Sequence, residues 1–559
     1  MEDSFPPLPG ATGPNGLVGG GEARVLNQQQ TGEGRFGVTK TKILCSDVDV
    51  VLEFTPSPSS GARKLAHMKY LMGVSSTALK ESSTYFRVIL DPDKFREGRE
   101  LFEKTAQLDA KYGAGEVSMN DDEAAFAELP TISIELPPLA GVFDKADLIE
   151  TFLRVLYLGS AMSHDDQNIQ DILNHLAKKS ISFVANLIVL SDKFGGQEAL
   201  KRALNIPLDG VSKSVGQTLI SKTLRRLQSS RVEDEERTRQ AIYFALFLGS
   251  NDGVLAFTHM LIIDGSREWV SGGGDGWVGI DRPLWWHLPH GIEEELRFRH
   301  ESILDTITDL QSHFLRAYGA LPPESSPHSP QITDPSISAF PLQPPQHSMR
   351  LQCRRMYENS RACDSFHLGE IIRFFTTRTK TLHLESTLPP HMHDSGDSED
   401  ENADHVTHNT TNSTQPPPPP TNIATLLGSL RQCPEYQIDP NHIGCGLRRR
   451  LLPALDCLAS FTTNSTNAVG ICPSHFNSGN DNSTNPYASM ATRCARVGSW
   501  RNHAFRDAII VGIGAGKVDS ITYLNDGRAN GALAEMCTCV VNAELARAAF
   551  TARRRAWNL

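Results

Sequence analysis

The apolar residues of this chain fall into blocks separated by stretches rich in Pro, Ser, Asn and Gly. In the first block, residues 40–205, Asp47–Phe54 alternates and is rich in β-branched residues, which predicts a strand. Ile132–Leu136 alternates in the same way. Asp144–Gly159 and Ile181–Gly195 place apolar residues three and four positions apart, which predicts helices. The block is therefore predicted to be a mixed α and β domain.

Between the first two of these strands the pattern predicts a further strand and a helix. Met68–Val74 reads as a short strand, and Ser75–Leu90 as a helix that begins with serines suited to capping. The sequence Asp-Pro-Asp at 91–93 ends this helix. Residues 104–128 are polar and typical of an insertion.

The rest of the chain is predicted to be mainly helical. Residues 206–320 include Glu293–Tyr318, whose apolar positions predict a long amphipathic helix. Shorter segments with helical patterns follow at residues 349–386, 422–461 and 496–559. The last of these is predicted to end in a helix over Ala532–Trp557.

Four stretches lack apolar periodicity and are predicted to be disordered or to act as linkers. They are residues 1–39, 321–348, 387–421 and 462–495. The third changes from acidic residues to five consecutive prolines, which should be stiff and extended. These stretches account for the low hydrophobic content of 39%. The predicted fold class is thus α+β, with a small sheet flanked by helices and then a mainly helical region.

Charge and hydropathy limit the classes of partner. The net charge of −11 argues against the whole molecule binding nucleic acid or a membrane surface. No apolar run approaches the roughly 20 residues that a membrane-spanning helix needs. Arg448–Arg450 and Arg553–Arg555 are short basic patches that could contact nucleic acid or direct nuclear import, but solvated helical faces are the preferred interpretation.

The ten cysteines are scattered rather than regularly spaced, and the first residues lack the basic and apolar regions of a signal peptide. Both observations predict an intracellular protein, in the cytoplasm or the nucleus.

Some cysteines and histidines in the second half could bind zinc, because thiolate and imidazole suit a tetrahedral Zn²⁺ ion. The candidates are Cys433, His442, Cys445, Cys457, Cys472 and His475. Their spacing is irregular, and Leu455 and Leu458 flank Cys457 on a predicted helix, where a buried free thiol is ordinary. The sequence therefore leaves zinc binding open and assigns no metal ligand.

Two other patterns suggest chemistry without specifying it. Gly512–Lys517 resembles a phosphate-binding loop, but Val511 and Val518 replace the required glycine and hydroxyl residues, so a Gly-rich turn after a strand is favoured. His287, His290 and Glu293–Glu295 lie near two tryptophans but lack a metalloprotease spacing. We therefore predict no catalytic residue and no cofactor.

Three segments carry a resemblance to a known domain. Val74–Leu90 has Leu79 and Phe86 where a strand–helix unit needs core contacts. Phe152–Ser160 (FLRVLYLGS) and Leu190–Gly195 (LSDKFG) follow in order. Together these segments resemble a BTB/POZ domain, a protein–protein docking fold.

Downstream, the chain is similar to a group of BTB-like proteins from filamentous fungi, for which no catalytic residues are established. The matching segments include Gly265–Trp269, Pro283–Trp286, Cys363–Glu370, Leu430–Pro434 and Phe550–Trp557.

The resemblance implies an adapter or scaffold that binds proteins, including a second copy of itself, and that could recruit substrates to a cullin-type ubiquitin ligase. Helix Asp144–Gly159 and the loop after it lie where this family docks partners. Two alternatives stay open: a transcription- or nucleic-acid-associated regulator that uses the Arg clusters, and an enzyme whose site forms only in the fold. A tight set of titratable groups in a closed pocket would support the enzyme, whereas an extended apolar groove would favour the adapter.

Overall fold

The computed structural model of the chain describes residues 25–26, 39–45, 47–55, 69–112, 128–139, 141, 144–158, 166–208, 212–229, 234–270, 283–286, 288, 291–322, 351–353, 359–382, 421–463, 467–473, 499–501, 508–514, 517–523, 538–552 and 554–557. The chain divides into two compact units, Met1–Gln217 and Thr218–Leu559. The described residues are mixed α and β with a small sheet and mainly helical content, which confirms this part of the prediction.

The first unit contains a five-stranded sheet in the spatial order β1-β2-β4-β3-β5. Its strands are β1 (Val25–Leu26), β2 (Thr39–Ile43), β3 (Val50–Thr55), β4 (Lys69–Val74) and β5 (Thr131–Glu135). Strand β3 pairs antiparallel with β4 and parallel with β5. These three strands were predicted, whereas β1 and β2 were not. Strand β1 lies in the stretch predicted to be disordered, and its two residues are too few to show an alternation.

The helices of the first unit carry most of its buried residues. They are α1 (Ser76–Ser82), α2 (Thr84–Ile89), α3 (Arg96–Tyr112), α4 (Lys145–Leu158), α5 (Asp166–Lys178), α6 (Ile181–Lys193) and α7 (Gln197–Asn205). Helix α4 begins as predicted, because the Asp144 carboxylate accepts hydrogen bonds from the backbone N–H groups of Ala146 and Asp147 at 3.1 and 3.2 Å. Helix α3 occupies part of the segment interpreted as an insertion.

The single helix predicted over Ser75–Leu90 is wrong, because the chain breaks at Ser83. This residue has extended backbone angles, φ −133° and ψ 127°. Its hydroxyl accepts a hydrogen bond from Phe86 N at 3.0 Å and donates one to the carbonyl of Phe194 at 2.5 Å. A serine that caps a new helix competes with the continuation of the old one, and periodicity alone does not reveal this.

The core of the first unit is an aromatic cluster centred on Phe194, which is fully buried. The ring centre of Phe194 lies 6.3 Å from that of Phe54, 6.0 Å from Phe86, 5.8 Å from Phe152 and 5.3 Å from Tyr85. These separations are typical of favourable aromatic pairs. The cluster therefore joins the sheet to α2, α4 and the end of α6.

The second unit is built on helices. They are α8 (Val215–Ser229, which begins in the first unit), α9 (Glu235–Leu248), α10 (Asn251–Asp264), α11 (Arg267–Val270), α12 (Ile292–Ala317), α13 (Ser360–Arg373), α14 (Ile423–Arg431), α15 (Arg448–Thr462) and α16 (Thr538–Thr551). Helix α12 matches the long amphipathic helix predicted there. In the part of the chain that the structure describes, no helix is long and apolar enough to cross a membrane.

A three-stranded sheet completes this unit, in the order β7-β6-β8. Its strands are β6 (Ala508–Gly514), β7 (Lys517–Tyr523) and β8 (Arg554–Trp557). The predicted helix over Ala532–Trp557 is therefore wrong at its C-terminal end. The described helix α16 ends at Thr551, and the last residues pair parallel with β6 instead. Residues 532–537 lie outside the described residues. A pairing partner about 45 residues earlier is a tertiary effect that the local pattern does not contain.

A buried ion pair on α12 holds two segments of the second unit in place. Glu295 and Arg299 lie 2.8 Å apart, and each side chain is 2% exposed. The Arg299 guanidinium donates hydrogen bonds to the carbonyls of Val469 and Gly470 at 2.9 and 2.6 Å. Part of the stretch 462–495, which was predicted to be a linker, is thus packed against this helix.

The other partner of the pair receives the segment 499–501. The Glu295 carboxylate accepts hydrogen bonds from the backbone N–H groups of Trp500 and Arg501 at 2.6 and 3.3 Å, and from the Ser499 hydroxyl at 3.0 Å. The ring of Trp500 lies 4.8 Å from the Arg299 guanidinium. Each charge is therefore compensated on several sides, as burial requires.

We expect the stability of the second unit to fall in acid because of His259 on α10. This side chain is buried, and burial lowers its pKa to about 4. In the unfolded state His259 has an ordinary pKa of about 6.5 and becomes protonated below that pH, whereas in the folded state it stays neutral down to about pH 4. The free energy of unfolding therefore decreases as the pH falls from about 6.5 towards 4. Over that window the loss reaches about 3 kcal/mol, at 1.36 kcal/mol per pKa unit.

Denaturant unfolding of the full chain at several pH values checks this expectation. His259→Leu should flatten the acid dependence of the unfolding free energy, whereas Met260→Leu, a substitution of a buried residue on the same helix that does not titrate, should leave that dependence as in the wild type. Equal slopes for the wild type and His259→Leu would contradict it.

Candidate metal centre

Four buried side chains in the second unit bring three thiols and one imidazole together. They are Cys353, Cys363, His442 and Cys445, whose Sγ atoms and ring nitrogen all lie within 4.8 Å of one another. Cys353 lies in the short segment 351–353, which has no regular secondary structure, and Cys363 lies in the first turn of α13. His442 ends a 3₁₀ turn, Pro440–His442, and Cys445 follows three residues later.

The distances in this cluster correspond to the edges of a metal tetrahedron. The Sγ atoms of Cys353 and Cys445 are 3.8 Å apart, and His442 Nδ1 lies 3.3 Å from the first and 4.0 Å from the second. With Zn–S bonds of about 2.3 Å and a Zn–N bond of about 2.0–2.1 Å, tetrahedral edges are roughly 3.8 Å between sulfurs and 3.5 Å between sulfur and nitrogen. The ligand atoms surround a space of the right size for one ion.

The turn that carries His442 and Cys445 has a local sequence cause. The Asp439 carboxylate accepts a hydrogen bond from Asn441 N at 2.7 Å, and Pro440 fits the first position of the turn. Gly444 then adopts φ +82°, a conformation that favours glycine. The chain reverses there, and Cys445 N donates to the carbonyl of His442 at 3.2 Å. As a consequence, the side chains of His442 and Cys445, three residues apart, both point towards the centre of the cluster.

A hydrogen bond on the side of the ring away from the thiols sets the orientation of His442. Its Nε2 lies 2.9 Å from Oδ1 of Asn359, an oxygen that can only accept, so in the neutral ring Nε2 is the nitrogen that carries the proton. The amide nitrogen of Asn359 in turn lies 3.4 Å from the Asp439 carboxylate, which fixes the amide orientation. Nδ1 is therefore unprotonated on the side that faces the thiols. Metal-ligating histidines in proteins almost always have a hydrogen-bond partner at the ring nitrogen that does not bind the metal.

Neighbouring groups hold the backbone beside the cysteines. Arg450, buried on α15, donates from Nη1 to Oε1 of Gln352 at 2.6 Å and from Nη2 to the Gln352 carbonyl. Gln352 N donates to the Asp364 carboxylate at 2.8 Å. On the other side, the Tyr318 hydroxyl donates to the carbonyl of Cys445 at 3.3 Å. The residue before Cys353 is thus fixed through both its backbone and its side chain.

The electrostatics of the cluster favour a cation. Burial raises the pKa of the Cys363 thiol, and the neighbouring Cys353 and Cys445 raise it further. Three thiolates in one buried place repel one another, so they can ionise together only if a positive charge lies between them.

The cluster shares only His442 and Cys445 with the six zinc candidates considered from the sequence. Cys433 and Cys457 are buried elsewhere, where burial raises the pKa of their thiols to about 12 and about 11. Cys472 is partly buried outside the cluster, and His475 lies outside the described residues. Sequence reasoning missed Cys353 and Cys363. Their only signal was the presence of two cysteines in the short segment between the predicted linkers 321–348 and 387–421.

Among the described residues, the remaining sequence candidates form no site. Gly512–Lys517 spans the connection between β6 and β7, which are an antiparallel pair, whereas a phosphate-binding loop leads from a strand into a helix. Trp285 is buried, in agreement with a packing role. His287 and His290 lie outside the described residues. In the first Arg cluster, Arg448 donates to the carbonyl of Cys433 at 2.6 Å.

A charged cavity of about 430 Å³ lies on α4 in the first unit. Its lining residues are Lys42, Asp144, Asp147, Glu150, Thr151, Arg154, Ile172, His175 and Lys179. Glu150 pairs with Lys42 at 2.6 Å and with Arg154 at 2.8 Å. Burial alone would raise the pKa of Asp147, but its hydrogen bonds with Lys179 and His175 outweigh this and lower it. Asp147 is thus held ionised by its partners and is not poised as a general acid.

Comparison with known proteins adds no further constraint. No protein-family profile, curated protein or solved structure matches this chain.

Proposed function

We propose that this chain is a protein–protein interaction adapter built on a BTB/POZ-like first unit. The observation that carries the proposal is the convergence of the three motif segments on one core. Tyr85 and Phe86 come from the first segment, Phe152 from the second and Phe194 from the third, and all four rings belong to the cluster centred on Phe194. Segments that match a domain motif by chance would have no reason to share a core.

The order of elements also supports this proposal. A strand pair, β3 and β4, is followed by the short helices α1 and α2, by the longer helix α3, by β5 and then by α4 to α7. Apart from α3, this is the order of strands and helices that the resemblance implies. The proposed role is self-association through this unit and recruitment of a protein partner, with a cullin scaffold as the first candidate, in the cytoplasm or the nucleus.

Helix α4 is the proposed docking element, because the resemblance places partner binding there. Its cavity has paired but partly accessible charges; the side chain of Arg154, for example, is 35% exposed. A partner that offers a complementary pattern of acidic and basic side chains could exchange these ion pairs for its own. Such charges determine specificity and association rate more than affinity.

The alternatives have less support. Within the described residues, the first Arg cluster is engaged internally, since Arg450 is buried against Gln352 and Arg448 bonds to the Cys433 carbonyl. The charged cavity on α4 holds ion pairs rather than a nucleophile beside a base, as a hydrolytic enzyme would need.

Light scattering coupled to size exclusion tests self-association of the full chain. We expect a species of twice the 61.4 kDa chain mass that persists on dilution. Titration with the amino-terminal domain of a cullin scaffold tests recruitment. Arg154→Glu should weaken that complex, whereas Arg202→Glu, on the exposed face of α7, should not. A monomer at all concentrations that also fails to bind the scaffold would contradict the proposal.

A further inference from the structure

We propose that Cys353, Cys363, His442 and Cys445 bind one structural Zn²⁺ ion, which joins the segments on either side of residues 387–421. The inference does not depend on the adapter function, since it concerns the architecture of the second unit alone. It rests on the positions of the four ligand atoms and on the hydrogen bond that orients His442.

The donor set selects the kind of metal. Three thiolates and one imidazole are soft or borderline ligands, which suit Zn²⁺ and do not suit Mg²⁺ or Ca²⁺. The near-tetrahedral separations described above match four-coordinate zinc.

The site is closed, which indicates a structural ion rather than a catalytic one. All four donor residues are buried, and four protein ligands complete a tetrahedron. A catalytic zinc ion keeps one position for water or substrate. Here the chain itself supplies the fourth ligand.

The binding reaction balances as a proton exchange. Zn²⁺ displaces the protons of three thiols, three protons leave to solvent, and neutral His442 binds through Nδ1 without losing a proton. The product carries one net negative charge. The buried guanidinium of Arg450, which bonds to Gln352 beside Cys353, supplies a positive group next to the site.

The ion would connect distant parts of the chain. Cys353 and His442 are 89 positions apart, and Cys353 and Cys445 are 92 positions apart. The acidic and Pro-rich stretch 387–421 lies between the two pairs of ligands. Closing so long a loop costs entropy that local contacts must offset, and metal binding contributes free energy of folding directly. The ion would thus fix α13 against the turn before α15.

The test begins with the full wild-type chain, purified without added metal. Elemental analysis should find about one zinc per chain, and X-ray absorption should show three sulfur neighbours and one nitrogen neighbour. Replacement by Co²⁺ should give the visible absorption of a tetrahedral thiolate complex. These measurements need no variant, so a variant that fails to fold cannot obscure them.

Variants then locate the site. Cys445→Ser and Cys363→Ser should lose the bound metal, whereas Cys433→Ser and Cys457→Ser, at buried cysteines outside the cluster, should keep it. Asn359→Ala should weaken zinc binding about 10–100-fold, because the His442 ring loses its orienting partner. Asn441→Ala, at the exposed neighbour of His442, should leave the affinity unchanged.

The inference is overturned if the wild-type chain contains no zinc and gives no tetrahedral Co²⁺ spectrum. It is equally overturned if peptide mapping finds Cys353 and Cys445 joined as a disulfide in the chain freshly purified under reducing conditions, or if Cys433→Ser loses the metal while Cys445→Ser retains it.

Discussion

Arg299→Met should destabilise the second unit by about 3–5 kcal/mol, because it leaves Glu295 as a buried charge without its partner. Both side chains are 2% exposed, so water cannot replace the lost hydrogen bonds. The carbonyls of Val469 and Gly470 lose their donors at the same time. Thermal unfolding of the full chain and hydrogen exchange in peptides that contain residues 467–473 and 499–501 would measure the effect.

The same helix provides the control for this prediction. Arg297 and Glu301 form an ion pair at 2.7 Å with the same four-residue spacing, but their side chains are 49% and 52% exposed. Arg297→Met should therefore change stability by no more than about 1 kcal/mol. Similar losses from Arg297→Met and Arg299→Met would show that the buried pair does not anchor the two segments.

Phe194→Ala should have a comparable effect on the first unit. Truncation of a fully buried phenylalanine typically costs about 3–5 kcal/mol, from lost transfer free energy and from the cavity that remains. Here the cavity would separate the sheet from α2 and α4, since the ring contacts aromatic residues from all three.

Denaturant unfolding with probes in each unit checks this prediction. Phe102→Ala, at a residue that is 65% exposed on α3, is the matched control and should change stability by less than about 0.5 kcal/mol. If Phe194→Ala proved as mild as Phe102→Ala, the aromatic cluster would not be the core that organises the motif segments.

The sequence predicts elements whose periodicity is strong and local. Helices α4, α6 and α12 and strands β3 and β5 follow from apolar spacing within a single window of the chain, and their boundaries agree within a few residues. The break at Ser83 escapes such reasoning, because the apolar spacing continues through it while the side-chain hydrogen bonds change the backbone.

Buried charge is the second kind of feature that the pattern conceals. Glu295 stands in a run of three glutamates and looks like part of a solvated or acid–base cluster. Its position three residues after Ile292, and four before Arg299, places it on the inner face of α12. An acidic and a basic residue four apart on an otherwise apolar face are the signal that could have indicated this pair.

The candidate metal centre could be predicted only in part. His442 and Cys445 lie three residues apart and were recognised as potential ligands. Cys353 and Cys363 belong to a different segment, and only the tertiary fold brings the two pairs together across a linker of unrelated composition. Nothing in the spacing distinguishes these cysteines from Cys433 and Cys457, which are also buried.

The most direct test of the metal-joined second unit is hydrogen exchange of the full chain before and after zinc removal by a chelator. We predict that residues 351–382 and 421–463 lose protection together as the zinc is released, that added Zn²⁺ restores it, and that peptides from the aromatic core of the first unit stay unchanged. Zinc release with unchanged protection in both segments would contradict the account.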